Sequence, residues 1–173
     1  VKRLLSFILI FPYLYSGQDY IDYPHPFHPT SSTSGMVVSQ NALSSDIGIE
    51  ILDMGGNAVD AAVAVGFSLA TTLPRAGNLG GGGFMVIRLA NGQVVTNDHR
   101  EKAPILATKD MYLDANAEVI AGLSTRSHLA AGVPGTVAGL IDVLEEFGTM
   151  PLADVIQPAI DLASEGFLMP EDL

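Results

Sequence analysis

The chain has 173 residues, enough for one domain with a hydrophobic core, and its 8 basic and 19 acidic residues give a formal net charge of −11. This balance argues against a nucleic-acid surface, which needs clustered Lys and Arg, and against binding to anionic lipid. Because cysteine is absent, disulfides, thiolate zinc sites and a cysteine nucleophile are excluded.

The first residues have the pattern of an export signal. A short basic segment, Val1-Lys2-Arg3, precedes an apolar run over residues 4–11 that is too short to span a bilayer comfortably. We therefore predict a signal peptide over residues 1–16 and a periplasmic or extracellular location. A buried strand or a mis-called start is the alternative, because Pro12 interrupts the run and no Ala-x-Ala site follows.

Residues 17–34 are rich in Pro, Ser, Thr and His and show no hydrophobic period, so they are predicted to be a disordered linker. Two histidines, His25 and His28, lie there among prolines. Two imidazoles in a flexible tail make a poor metal site, and we expect them to be solvated.

The folded region is predicted to cover residues 35–173 and to begin with a short strand at 36–38. Ser39 is predicted to cap a first helix that Gly55 and Gly56 end. Its apolar positions are Ala42, Ile49 and Leu52 on one face, with Leu43, Ile47 and Ile51 beside them. A second helix, residues 58–71, is expected to start at Asn57 with Asp60 at its third position and to end before Pro74. Its Ala, Val and Gly content predicts burial on all sides.

Four consecutive glycines at residues 80–83 precede a predicted buried strand at 84–89. The run matches neither a dinucleotide fingerprint nor a phosphate-binding loop. Asn91-Gly92 predicts a type I′ turn and a returning strand at 93–98, which places Arg100 and Glu101 at the hairpin exit. This is the layout of a binding site, and a glycine-rich strand entry that only allows tight packing is the alternative.

The remaining segments predict further helices and one strand. Residues 109–114 should form a helical turn and loop, and residues 129–133 a strand. A helix should run from Pro134 to Gly148, and a last helix from Pro151 to Gly166 with a kink at Pro158. The pattern as a whole predicts an α/β (α+β) protein.

Five segments in this order resemble the γ-glutamyltranspeptidase family, also called glutathione hydrolase, of the N-terminal-nucleophile hydrolases. They begin at Gly35, Gly55, Ala76, Asp98 and Val133 and read GMVVS, GGNAVDAAVA, AGNLGGGGFM, DHREKAP and VPGTVAG. The resemblance implies the N-terminal part of a large subunit and a four-layer αββα sandwich, present here as an N-terminal fragment. It also implies a precursor that cleaves itself and a reaction that needs no metal and no organic cofactor.

The resemblance further implies substrates, partners and one site residue. The substrates are glutathione and other γ-glutamyl compounds, the acceptors are water, amino acids or dipeptides, and the partner is the small subunit. Arg100 matches the arginine that holds the α-carboxylate of the glutamyl group, a role that suits a guanidinium fork. An ordinary ion pair with Glu101 or Asp98 is the alternative, and His99 is given no chemical role.

The family's nucleophile is a threonine in a Thr-x-His-x-Ser motif, and these 173 residues contain no such motif. No catalytic residue is therefore predicted in the chain, and the chain alone is expected to be inactive. The alternatives are an acylase of the same superfamily that acts on glutaryl-type side chains, a non-catalytic fragment that binds small carboxylates, and a gene remnant without function.

Overall fold

The computed structural model describes residues 29–169. The expected signal peptide and most of the expected linker, including His25 and His28, lie outside the described residues. Five α-helices and one two-stranded antiparallel sheet follow one another in the described part, with a short 3-10 helix at His128–Ala130. They are α1 (Ala42–Asp53), α2 (Ala58–Thr72), β1 (Phe84–Arg88), β2 (Val94–Asp98), α3 (Leu123–Arg126), α4 (Thr136–Phe147) and α5 (Leu152–Glu165). This mixture confirms the predicted α+β class.

The hydrophobic core lies where α2 packs against α1, α4 and α5. Ile51 of α1, Val63 of α2, Val143 of α4 and Val155 of α5 are all at most 1% exposed. Burying one such side chain stabilises the fold by about 1.5–3 kcal/mol. The prediction that α2 is buried on all sides is wrong: the sides toward α1, α4 and α5 are buried, but Ala62 is exposed and lines an open cleft.

The prediction for α1 is right in extent and wrong in cap and buried face. Asn41 is the N-cap and its side chain accepts from the backbone N–H of Ser44, whereas the hydroxyl of Ser39 donates to the Asn41 carbonyl. The buried positions are Ser44, Ile47, Gly48 and Ile51, so the face with Ala42, Ile49 and Leu52 is not the buried one. Small Ser and Gly at the contact allow α2 to approach closely, which a search for large apolar residues does not detect.

The hairpin forms as predicted, but its turn and its burial differ from the prediction. Only Gly92 of the turn pair has a positive φ, 88°, so the turn is not type I′, which needs two. A three-residue connection closes the hairpin instead, with Gly92 donating to the Leu89 carbonyl at 2.9 Å and Leu89 donating to Gln93 at 2.8 Å. The strand β1 is also not buried on both faces: Phe84 and Val86 are 67% and 70% exposed, while Ile87 is buried.

Three short segments differ from their predictions. Residues 109–112 form hydrogen-bonded turns where a helical turn and loop were expected, and Leu113 pairs in an isolated bridge with Val119. Residues 36–38 form no strand. The segment 129–133 contains the end of the 3-10 helix, and only Val133 pairs, in an isolated bridge with Lys102. Short apolar runs cannot form strands without a neighbouring strand to bond, and no such strand lies beside them within the described residues.

The last two helices end where the sequence predicts. Gly148 caps α4 by donating to the Leu144 carbonyl, and Gly166, with a φ of 80°, ends α5 in the same way. Pro158 lies inside α5, although a kink there stays a prediction. Within residues 29–169, no helix is both long enough and apolar enough to cross a membrane. The same residues hold no group of three or more His, Asp or Glu side chains that could bind a metal ion.

Candidate functional site

The glycine-rich segment at residues 80–83 runs directly against the main chain that leaves β2. A Cβ atom on Gly82 would lie 2.6 Å from the His99 carbonyl oxygen, 2.8 Å from the Glu101 nitrogen and 2.9 Å from the Arg100 Cα. All three are backbone atoms, so no side chain fits at position 82 without a main-chain shift. Gly83 and His99 also exchange two backbone hydrogen bonds, which extend the ladder of β1 and β2 by one pair.

The start of α4 completes the same contact. The backbone N–H groups of Gly135 and Thr136 donate to the Gly81 carbonyl at 2.9 and 3.1 Å. A Cβ on Gly135 would overlap the His99 carbonyl. Three chain segments therefore meet at residues 80–83, 99–101 and 135–136, and each approach needs a residue without a side chain.

Arg100, the predicted substrate contact, lies at this junction with an exposed side chain. Its Nε donates to Glu101 Oε2 at 3.0 Å, and its guanidinium carbon lies 5.8 Å from the centre of the Phe84 ring. Its backbone N–H donates to Asp98 Oδ1 at 3.1 Å. Among the described residues, its two terminal NH₂ groups make no hydrogen bond.

A cleft of about 380 Å³ opens beside Arg100. Its walls include the two groups that contact the guanidinium, Phe84 and Glu101. The opposite wall is largely apolar and comes from α2, the glycine-rich segment and the first turns of α4, through residues Val65, Leu69, Gly81, Gly82, Thr136 and Leu140. The result is a mainly apolar cleft whose walls include the two groups that contact the Arg100 guanidinium.

This arrangement suits the binding of a carboxylate. A guanidinium whose Nε is held by Glu101 keeps two parallel N–H donors free, which is the geometry that a carboxylate accepts bidentately. The Arg100–Glu101 pair itself is exposed, at 60% and 34% of the side chains, so it contributes little stability, about 0–1 kcal/mol. The ion pair with Glu101, which was the alternative prediction for Arg100, is thus present. It uses only Nε and leaves the two terminal NH₂ groups of Arg100 available.

The cleft holds a hydroxyl group but no nucleophile with a base. Thr136 lines it at the first position of α4, and no histidine or carboxylate bonds to its hydroxyl among the described residues. Activation of a hydroxyl requires such a base within hydrogen-bond reach.

Sequence reasoning missed that His99 is central to the junction. Its side chain lies over Gly83 and Gly139, and its Nδ1 is 2.7 Å from Asn97 Oδ1. Strand alternation could have indicated this, because Val95, Asn97 and His99 follow one another on the inner face of the hairpin. Alternation also places Arg100 on the outer side with Phe84.

The family model described as Gamma-glutamyltranspeptidase matches residues 44–173. The chain is 54% identical over 147 residues to the glutathione hydrolase proenzyme of Escherichia coli strain K12, which covers 85% of the chain and 25% of that protein. It resembles the crystal structure of Helicobacter pylori γ-glutamyltranspeptidase with a TM-score of 0.74 and 53% identity, over 82% of this chain and 40% of that one.

An acylase is also among the relatives. The acylase ACY 1 proenzyme of Pseudomonas sp. strain V22 is 43% identical over 147 residues, covering 82% of the chain and 26% of that protein. The chain thus spans about a quarter of the length of the curated relatives it matches. The higher identity to glutathione hydrolases favours that group over the acylases.

Proposed function

The chain belongs to the γ-glutamyltranspeptidase family, and we propose that its residues 35–173 are the N-terminal part of the large subunit of a glutathione hydrolase. The protein would cleave the γ-glutamyl amide of glutathione and transfer the glutamyl group to water, amino acids or peptides. The observation that carries the proposal is the free guanidinium fork of Arg100, whose two contacts, Phe84 and Glu101, line the glycine-rich cleft.

In this proposal Arg100 binds the α-carboxylate of the γ-glutamyl group. Glu101 fixes the guanidinium through Nε, and the ring of Phe84 supports it from one side. The contacts with Glu101 and Phe84 orient the guanidinium, and the fork sets the direction in which the γ-amide extends. Arg100 therefore positions the scissile bond without taking part in the chemistry.

The reacting groups are proposed to come from sequence outside these 173 residues. A threonine hydroxyl, deprotonated by its own α-amine, would attack the γ-carbonyl carbon and form an ester as the C–N bond breaks. The proton on the α-amine would pass to the leaving amine. Water or an acceptor amine would then attack the ester and release the glutamyl group, so that the threonine is restored.

The test is a hybrid proenzyme in which residues 35–173 of this chain replace the corresponding part of the E. coli glutathione hydrolase proenzyme. We expect the hybrid to cleave itself and to release the chromophore from a γ-glutamyl anilide. The isolated chain should show no release above background, because positioning and nucleophilic attack supply most of the acceleration. A folded, self-cleaved hybrid without this activity would contradict the proposed function.

Arg100→Lys in the hybrid should raise KM strongly, because the charge is kept and the two-pronged geometry is lost. We expect a loss of about 2–3 kcal/mol in kcat/KM. Self-cleavage should continue, since it does not use the carboxylate of the substrate. Arg88→Lys, the same change on the exposed end of β1, is the matched control and should leave KM unaltered. If Arg100→Lys blocked self-cleavage while mature molecules kept a normal KM, Arg100 would be a folding residue.

Two alternatives give different outcomes in the same assays. A glutaryl group carries a carboxylate in the same place but no amino group, so Arg100 could serve an acylase equally well. A hybrid that prefers glutaryl anilide to γ-glutamyl anilide would favour the acylase. Saturable binding of glutamate by the isolated chain, together with an inactive hybrid, would favour a non-catalytic fragment that binds small carboxylates.

We also propose that the protein is exported, to the periplasm or to the medium. The support is the basic and apolar start of the sequence followed by the Pro- and Ser-rich segment. Fractionation of the producing cells should find the chain outside the cytoplasm with its first residues removed. Recovery of the intact chain from the cytosol would overturn this proposal.

A further inference from the structure

We propose that His99 is a positioning residue that sets the place of Arg100 at the cleft, an inference that rests on the proposed function. Its side chain fills the space over two glycines. A Cβ on Gly83 would lie 2.9 Å from Nε2 of the ring, and a Cβ on Gly139 would overlap the His99 Cβ and Cγ. These two positions belong to the strand entry and to α4, so the ring lies between the two elements.

The imidazole is also held in one orientation. Its Nδ1 lies 2.7 Å from Asn97 Oδ1. Because an amide oxygen only accepts hydrogen bonds, this contact places a proton on Nδ1. The ring therefore has a fixed rotamer, with one nitrogen bonded to β2 and the other facing Gly83.

The position of the ring is transmitted to Arg100 through the main chain. The His99 carbonyl accepts from Gly83 at 3.3 Å and lies against Gly82 and Gly135, and the Arg100 Cα follows directly over Gly82. Loss of the ring would leave a space between Gly83 and Gly139. The hairpin exit could then shift toward α4, and the guanidinium would move with it relative to the bound carboxylate.

The first experiment is His99→Ala in the hybrid proenzyme, with the anilide assay. We expect KM to rise on the order of tenfold, because a displacement below 1 Å at a positioning group already weakens binding of this kind. His99→Phe retains the ring shape and should restore KM to within about threefold of the hybrid with His99. His128→Ala, which removes an exposed histidine of the 3-10 helix, is the matched control.

A double-mutant cycle distinguishes positioning from general destabilisation. If His99 acts through Arg100, His99→Ala should change KM by less than about twofold when Arg100→Lys is already present. An unchanged KM in His99→Ala would overturn the inference. An equal fold-change in KM with and without Arg100→Lys would also overturn the inference, because the two side chains would then act independently. The proposed function is tested separately, by the activity of the hybrid itself.

Gly83→Ala provides a second route if His99→Ala does not fold. The three atoms nearest to the added methyl all belong to the His99 ring, so the substitution displaces the ring from its held orientation without striking the backbone. We expect KM to rise with Gly83→Ala, because the displaced ring no longer fixes the hairpin exit that carries Arg100. A Gly83→Ala hybrid with unaltered KM would contradict a positioning role for the ring.

Discussion

Asp60 shows how a single residue can join two helices. It is completely buried, and each carboxylate oxygen accepts two hydrogen bonds: Oδ2 from the Asn57 N–H and the Thr149 hydroxyl, and Oδ1 from the Thr149 and Met150 N–H groups. Asn57 in turn donates to the Phe147 carbonyl. The start of α2 is thereby tied to the connection between α4 and α5.

The same contacts determine the charge of Asp60. Burial by itself would raise the pKa of the carboxyl, but the hydrogen bonds from Thr149, Asn57 and Met150 outweigh it, so the pKa lies below the ordinary 3.8. A lowered folded pKa means that the ionised group stabilises the fold above the unfolded value of about 3.9. That contribution is lost as pH falls through the folded pKa.

We predict that Asp60→Asn in the hybrid proenzyme lowers the free energy of local unfolding at pH 7 by about 2–3 kcal/mol. The amide NH₂ group replaces a carboxylate oxygen that accepts two hydrogen bonds, so it would face two donors and bond to neither. Hydrogen exchange of the peptide containing Thr149 and Met150 measures this change. The difference from the unsubstituted hybrid should begin to shrink below about pH 4, where Asp60 of the unfolded chain becomes protonated, and should go on shrinking as the pH falls through the lower folded pKa.

Asp142→Asn, on the exposed side of α4, is the control for Asp60→Asn and should leave the exchange of this peptide unchanged. A difference that stays constant down to pH 2 would contradict the role of the charge.

At the scale of elements, the glycine-rich segment matters because a strand, a hairpin exit and a helix start approach one another there. The need for a residue without a side chain differs from position to position along this segment. Gly82 faces three backbone atoms within 2.9 Å, whereas a Cβ on Gly80 would meet only Asn78 Oδ1 at 3.7 Å. Neither residue has a positive φ, so the difference between them is one of space alone.

We predict that Gly82→Ala lowers the stability of the hybrid by about 2–4 kcal/mol, because the hairpin and α4 must separate to admit the methyl group. Gly80→Ala should change it by less than about 1 kcal/mol. Urea denaturation followed by near-UV circular dichroism compares the two variants. Equal effects would show that the close approach at Gly82 is not required.

At the scale of the whole molecule, the described residues bury one side of the hairpin and leave the other exposed. Phe84, Val86 and Val94 lie on the outer face and are 57–70% exposed, while Met85, Ile87 and Val95 pack against the core. Apolar surface is thus left uncovered on the hairpin, whereas α1, α4 and α5 pack against α2. Exposed apolar strands with free edges favour association between molecules.

We therefore predict that residues 35–173 expressed alone aggregate or bind a hydrophobic dye. Val86→Thr with Val94→Thr should reduce dye binding, because both changes make the outer face polar and leave the core untouched. Ala153→Ser, at an exposed position of α5, is the control and should leave dye binding unchanged. A monomer with a sharp melt and no dye binding would contradict this expectation.

The sequence determined those features that depend on neighbours along the chain. The capping box between Asn57 and Asp60 fixed the start of α2, Pro74 fixed its end, and Asn91-Gly92 fixed the reversal of the hairpin and hence the position of Arg100. Each rests on hydrogen bonds or backbone angles among residues a few positions apart, so local pattern was enough to predict them.

Only the tertiary structure decided which faces are buried and what Arg100 and His99 contact. The outer face of β1 is exposed because no described element packs on it, and α1 buries Ser44 and Gly48 because α2 lies close against them. The ring of His99 lies over Gly139, forty residues along the chain. Such contacts form between segments distant in sequence, so their energies depend on the folded arrangement, and alternation along β2 indicates only the face on which a side chain lies.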